Sequence, residues 1–147
     1  MTQISMQQAT HPIAKMKNHH SHKKCFACGK DNAASLGLHF YSNDNGGVTG
    51  ETKSYPFLQG YPDILHGGIV ATMLDSAMTH CLFHHDITAL TADLHVRYLL
   101  PVPCQQKLNL TAWITRFKPP LYCLRSELHV GEKLMAYADA KFMRKEL

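Results

Sequence analysis

His66-Gly67-Gly68, Asp75 and Thr91 are residues whose types and spacing could do chemistry. Paired glycines let the backbone turn sharply and let a ligand approach the main chain closely. They stand where a helix opens. The first N–H groups of a helix have no internal acceptor and sit at the positive end of its dipole. A developing oxyanion could be held there. A flexible loop-to-helix turn needs the same three residues, so the pattern leaves both uses open. Asp75 follows two turns later, at the edge of an apolar stripe beside Met78 and Leu82. A carboxylate half-shielded by apolar groups has a raised pKa and can act as general base or nucleophile. A solvated residue on the helix's open arc is the ordinary alternative. Thr91 opens the strand after the helix, where its hydroxyl could orient a water; Thr is also an ordinary strand residue. Alternation puts Asp93, His95 and Arg97 on its face.

His20, His22, Cys25 and Cys28 form a second constellation, H-x-H-x2-C-x2-C. Two thiols and two imidazoles can complete a tetrahedral zinc site. Their crowding is unlike finger spacing, where ligand pairs stand about a dozen residues or more apart. The expectation is therefore no metal, with the arm packing through Phe26 near the first strand. His84-His85-Asp86 reads as a helix C-terminal cap. Phosphate-loop, dinucleotide and nucleophile-elbow motifs are absent. Lys23-Lys24 and scattered bases form no nucleic-acid patch with interleaved aromatics.

The elements that must position these residues follow from periodicity. Leu36, Leu38 and Phe40 alternate with polar or small residues, then a turn at 42–47 leads to a partner strand over Val48–Tyr55. A helix is expected over Gly67–Phe83, its apolar residues covering more than half the circumference and Thr72, Asp75, Ser76 and Thr79 forming the polar arc. Four strands follow: Leu90–Tyr98, Leu108–Thr115, Tyr122–Val130 and Leu134–Met143, each with one face toward the core. The order β-β-α-β-β-β-β gives an α+β domain, one long helix on a curved, mostly antiparallel six-stranded sheet. Thr91, His95, Arg97 and Trp113 are candidates for a second interface on its outer face.

The chain has 147 residues and a mass of 16.5 kDa, with a formal charge of +4. This is one domain's worth, divided here into a polar arm over residues 1–24 and a domain over 25–147. Hydrophobic residues at 45% and charged residues at 18% exclude a disordered chain. Five cysteines at irregular spacing suggest no disulfide framework and a reducing compartment. No apolar leader or membrane-length run occurs, so the expected location is cytoplasmic.

Three segments together resemble the hotdog-fold acyl-CoA thioesterases of the PaaI type: Leu58 to Pro62, Leu65 to Ala77, and Leu90 to Pro103. Cys25 to Asn32 followed by Gly37-Leu38 resembles an N-terminal signature in one branch. The resemblance spans about residues 25 to 143 and implies a helix wrapped by an antiparallel sheet. It also implies a homodimer, often a dimer of dimers, with sites at the subunit interface. Gly67, with Gly68 adjacent, would polarise the thioester carbonyl. Asp75 would be base or nucleophile, and His66 would position thioester and turn. Thr91 would come from the other subunit. Gln59 would contact substrate, and Arg97 and Lys118 would meet the CoA phosphates. Asp63 stands where the family usually has Gly, and Ala33-Ala34-Ser35 lengthens a turn. The implied partner is acyl-CoA, with neither metal nor cofactor, and no nucleic acid or membrane span. A silent acyl-CoA-binding or regulatory protein is the alternative function. The spacing of His-Gly-Gly to Asp argues against a hydratase.

Overall fold

The computed structural model describes residues 22–144. His20 and most of the 1–24 arm lie outside them. Helix α1 spans Gly67–His84. Its first turn is capped by His66, whose ring Nδ1 accepts the Gly68 N–H at 2.9 Å. It ends where Asp86 turns left-handed at φ 56, with Ile87 N–H returning to the Leu82 carbonyl at 2.9 Å. Met73, Leu74, Ala77, Met78, Cys81 and Leu82 are all buried, and each large side chain among them contributes about 1.5–3 kcal/mol. Ser76, expected on the polar arc, is buried too.

Six strands form one sheet: β1 (Phe40–Ser42), β2 (Val48–Lys53), β3 (Ala89–Tyr98), β4 (Lys107–Lys118), β5 (Leu121–Val130) and β6 (Lys133–Arg144). Their order is β1-β2-β4-β5-β6-β3, and every pairing is antiparallel. The helix lies chiefly against β4 and β5. Leu108, Leu110, Tyr122, Leu124 and Leu128 meet it from these strands, and Ala136, Ala138, Ala140 and Phe142 extend the core along β6. Among the described residues no helix is long and apolar enough to cross a membrane.

Three expectations fail. Leu36 and Leu38 precede β1 instead of forming it; their amides bond the Phe26 and Ala27 carbonyls at 2.9 and 3.0 Å. The alternating residues there zip the arm to the domain. Phe26 does not anchor it, being 48% exposed, whereas Ala27 and Cys28 are buried. The third failure is β3, which its own chain closes only in part: Val96 packs against the core, whereas Leu90, Leu94 and Tyr98 are 43%, 36% and 51% exposed. β3 is an edge strand bonded only to β6.

Candidate active site

At the start of α1 the first amides divide their work. Ile69 and Val70 N–H bond the His66 carbonyl, and Gly68 N–H bonds the His66 ring. The Gly67 N–H has no acceptor among the described residues. An imidazole accepting at Nδ1 carries its proton on Nε2, so His66 offers a second donor. Gly67 and His66 line a groove of about 770 Å³ with Tyr61, Ile64, Val70 and Leu100. The groove is apolar except at the helix terminus, an arrangement that orients a long apolar ligand by one polar end.

Tyr98, which the sequence reading did not place in the site, completes this end. Its hydroxyl donates to the Gly67 carbonyl at 2.6 Å, fixing the first helical peptide from the end of β3. Nothing near Tyr98 in the sequence marks it, because Gly67 is 31 residues away and the two meet only in the fold. Gln59, expected on substrate, instead accepts the Asp63 N–H through Oε1 at 3.1 Å. That bond braces the loop where Asp63 holds φ 62. Asp tolerates the left-handed region better than most side chains, so it can stand at this turn. Arg97 and Lys118 are exposed and neither lines the groove. The structure does not bring them to it.

Asp75 and Thr91 form a second cluster. The Thr91 hydroxyl donates to Asp75 Oδ1 at 2.7 Å. A bulge makes this possible: Thr91 pairs with Phe142 and Asp93 with Lys141, so Ala92 is the extra residue. Opposed residues share a face, so Thr91 joins buried Phe142 on the helix side. It leaves Asp93, His95 and Arg97 on the other side, correcting the expected common face. Within the chain, Thr91 serves its own Asp75. Burial pushes the Asp75 carboxyl above the ordinary carboxylate range, and the Thr91 hydrogen bond and nearby His22 pull it partly back.

Gly67 and Asp75 are eight residues apart on one helix, about 12 Å along its axis. Catalytic contact distances are about 3–3.5 Å, so one chain's Asp75 cannot serve a carbonyl held by its own Gly67 amide. A third cluster gathers His22, Cys25 and Cys28, whose donor atoms all lie within 4.8 Å of one another.

Residues 63–134, which hold His66, Gly67, Gly68, Asp75 and Thr91, match the family model of the thioesterase superfamily. Over 64 residues the chain is 38% identical to acyl-coenzyme A thioesterase THEM4 of Bos taurus, covering 44% of this chain and 26% of that protein. The Rattus norvegicus THEM4 is 41% identical over 46 residues, 31% of this chain and 20% of that protein. The matched stretch is thus about a quarter or less of the curated relatives' length. Among solved structures, a thioesterase superfamily protein aligns with a TM-score of 0.77 at 21% identity, covering 82% of this chain and 60% of that one. The E. coli PaaI protein from the phenylacetic acid degradation operon aligns with a TM-score of 0.70 at 19% identity, covering 76% and 86%. These identities speak to fold, and the fold is the hotdog: one long helix on an open antiparallel sheet. The match to the thioesterase-superfamily model runs through that helix and the three strands after it, so this stretch of the chain is similar to that family.

Proposed function

We propose that this chain hydrolyses acyl-CoA thioesters to free acid and CoA at a site built from two copies. The observation that carries the reading is a half-buried carboxylate, held by Thr91, on the same helix whose N-terminal amide opens into an apolar groove. The separation of about 12 Å between amide and carboxylate supports sharing, with Gly67 of one copy facing Asp75 of another. In this reading the groove takes the apolar part of the substrate and presents its carbonyl oxygen to the Gly67 N–H.

Thr91 occupies Oδ1 of Asp75, which leaves Oδ2 for water. Asp75 takes a proton from that water as its oxygen attacks the thioester carbon. The carbonyl electrons move onto oxygen, where the Gly67 amide and the helix dipole stabilise the charge. The tetrahedral intermediate collapses, the C–S bond breaks, and the leaving thiolate takes up the proton from Asp75. A thiolate leaves readily, so one base and one oxyanion donor suffice.

The test is hydrolysis of short, medium, long and aromatic acyl-CoAs by the wild-type chain and Asp75→Asn. Turnover of at least one class is expected, with kcat falling about 10²–10⁴-fold in the variant. Acyl-CoA binding without turnover would make the chain a binding protein instead. Undiminished turnover in Asp75→Asn would remove the base assignment.

A further inference from the structure

The turn carrying Cys25 and Cys28 is closed more tightly than packing alone requires. Cys25 N–H bonds the His22 carbonyl at 3.1 Å, and Gly29 N–H bonds the Cys25 carbonyl at 2.8 Å. The Ala27 N–H points at Cys25 Sγ at 3.3 Å. A Cβ on Gly29 would stand 2.3 Å from the Cys25 nitrogen and 2.6 Å from the Cys25 and Lys23 carbonyl oxygens, so only glycine fits. Asp31 N–H and the Asn32 side chain fasten the far side to Lys23 and Lys24 carbonyls at 2.8 and 3.2 Å. The backbone thus aims two sulfurs at one point, and His22 arrives there from the preceding turn.

One pair of donors already has the spacing of a coordination sphere, and all three lie within 4.8 Å of one another. Zn–S and Zn–N bonds of about 2.3 and 2.0–2.1 Å in a tetrahedron place sulfur and nitrogen about 3.6 Å apart. Cys28 Sγ lies 3.6 Å from His22 Nδ1. Cys28 is buried and Cys25 half-buried, so the donors face inward. His22 also packs edge-on against Phe83 of α1, with ring centroids 4.9 Å apart.

We propose that His22 Nδ1, Cys25 Sγ and Cys28 Sγ bind one Zn²⁺ ion. The two thiols release their protons to solvent on binding, and the fourth tetrahedral position goes to water or another donor. Two soft thiolates and an imidazole select zinc over magnesium or calcium, which take oxygen ligands. The ion staples the arm to the last turns of α1, so its contribution is to stability. This reverses the expectation drawn from linear spacing: the Gly29 turn brings together donors that crowding seemed to waste.

The experiment uses the full chain, purified under reducing conditions without a polyhistidine tag or chelator. Elemental analysis is expected to find about one zinc per chain. Zinc-stripped protein should take up Co²⁺ with thiolate-to-cobalt charge-transfer absorption. Cys25→Ser and His22→Ala should each lose the zinc. Chelator should lower the wild-type Tm by about 5 °C or more and leave Cys25→Ser unmoved. Only trace zinc and no charge-transfer band in the wild type would overturn the site, a result independent of how the variants fold. Zinc held equally well by Cys25→Ser and His22→Ala, or a Cys25–Cys28 disulfide in the purified protein, would also overturn it.

Discussion

The two edges of the sheet differ in length, cover and chemistry. β1 is three residues long, and the chain leading into it is bonded to the Phe26 and Ala27 carbonyls. β3 is ten residues long, pairs on one side only and leaves Leu90, Leu94 and Tyr98 exposed. A short, covered edge resists further pairing, whereas a long edge with exposed leucines invites it. Each edge also carries its own cluster: His22, Cys25 and Cys28 beside the β1 end, Thr91 and Tyr98 on β3. The contrast teaches a division of labour. The β1 edge is a structural closure, and the β3 edge is the one on which the proposed two-copy site depends.

The comparison breaks first at Gly67. His66 holds ψ 131, the extended region that a following proline favours, and Gly67 is the first helical position, where proline is accepted. An added Cβ meets Tyr98 at an ordinary 3.5–3.6 Å. Gly67→Pro therefore deletes the proposed oxyanion donor while keeping the helix, and kcat should fall about 10²–10³-fold with circular dichroism unchanged. Mixed with Asp75→Asn under exchange conditions, it should regain about a quarter of wild-type activity, because random pairing leaves one intact site in each mixed dimer. Asp75→Asn mixed with Thr91→Val should regain nothing, since those residues belong to one chain's half-site. The opposite pattern of rescue would place Thr91 across the interface.

Leu94→Lys puts a charge on the open edge. Sedimentation should show dissociation, and specific activity should drop about tenfold or more at dilute concentration. A fully active monomer would end the shared-site reading.

Thr91→Val removes the hydrogen bond that holds the Asp75 pKa down, so that pKa rises. A base must be ionised to work, so the acid limb of the kcat/KM profile should move to higher pH. Activity near neutral pH should fall by about tenfold or less, and part of it should return as the pH is raised. A profile that keeps its acid limb in place would mean that the bond does not reach the working carboxylate.

The smallest effect on catalysis is expected at the closed edge. Gly29→Ala forces a Cβ into the Cys25 and Lys23 backbone and should lower Tm by about 5 °C or more. Its kcat, measured on folded protein, should match the wild type. A large loss of kcat there would join the arm to the catalytic machinery and dissolve the contrast between the edges.

Much of this architecture was legible in periodicity. The apolar stripe from Val70 to Leu82 fixed α1, and alternation fixed β5 and β6 within a residue, while β4 runs three residues beyond its expected end. The same signal misled at both edges. Leu36 and Leu38 alternate like a strand, yet their partner is the arm. Leu90, Leu94 and Tyr98 alternate like a half-buried strand, yet the bulge at Ala92 turns Leu90 to the outer face and their own chain leaves all three exposed. Alternation records that a face is apolar and says nothing of what covers it. In the site, Gly67 and Asp75 stood out by type and spacing. Thr91 was noticed but put on the wrong face, because a bulge at Ala92 has no signature in an ordinary Thr-Ala-Asp run.

By itself the sequence determined the helix, its glycine-opened N-terminus and the carboxylate two turns on, because each depends on local backbone preference and a period of 3.6 residues. Tertiary structure alone decided the rest. It set the register that turns Thr91 onto Asp75 and the bond from Tyr98 to Gly67. Those contacts join residues that owe their meeting to the path of the chain between them. That path is fixed by burial of the whole core, and no short window of sequence contains it.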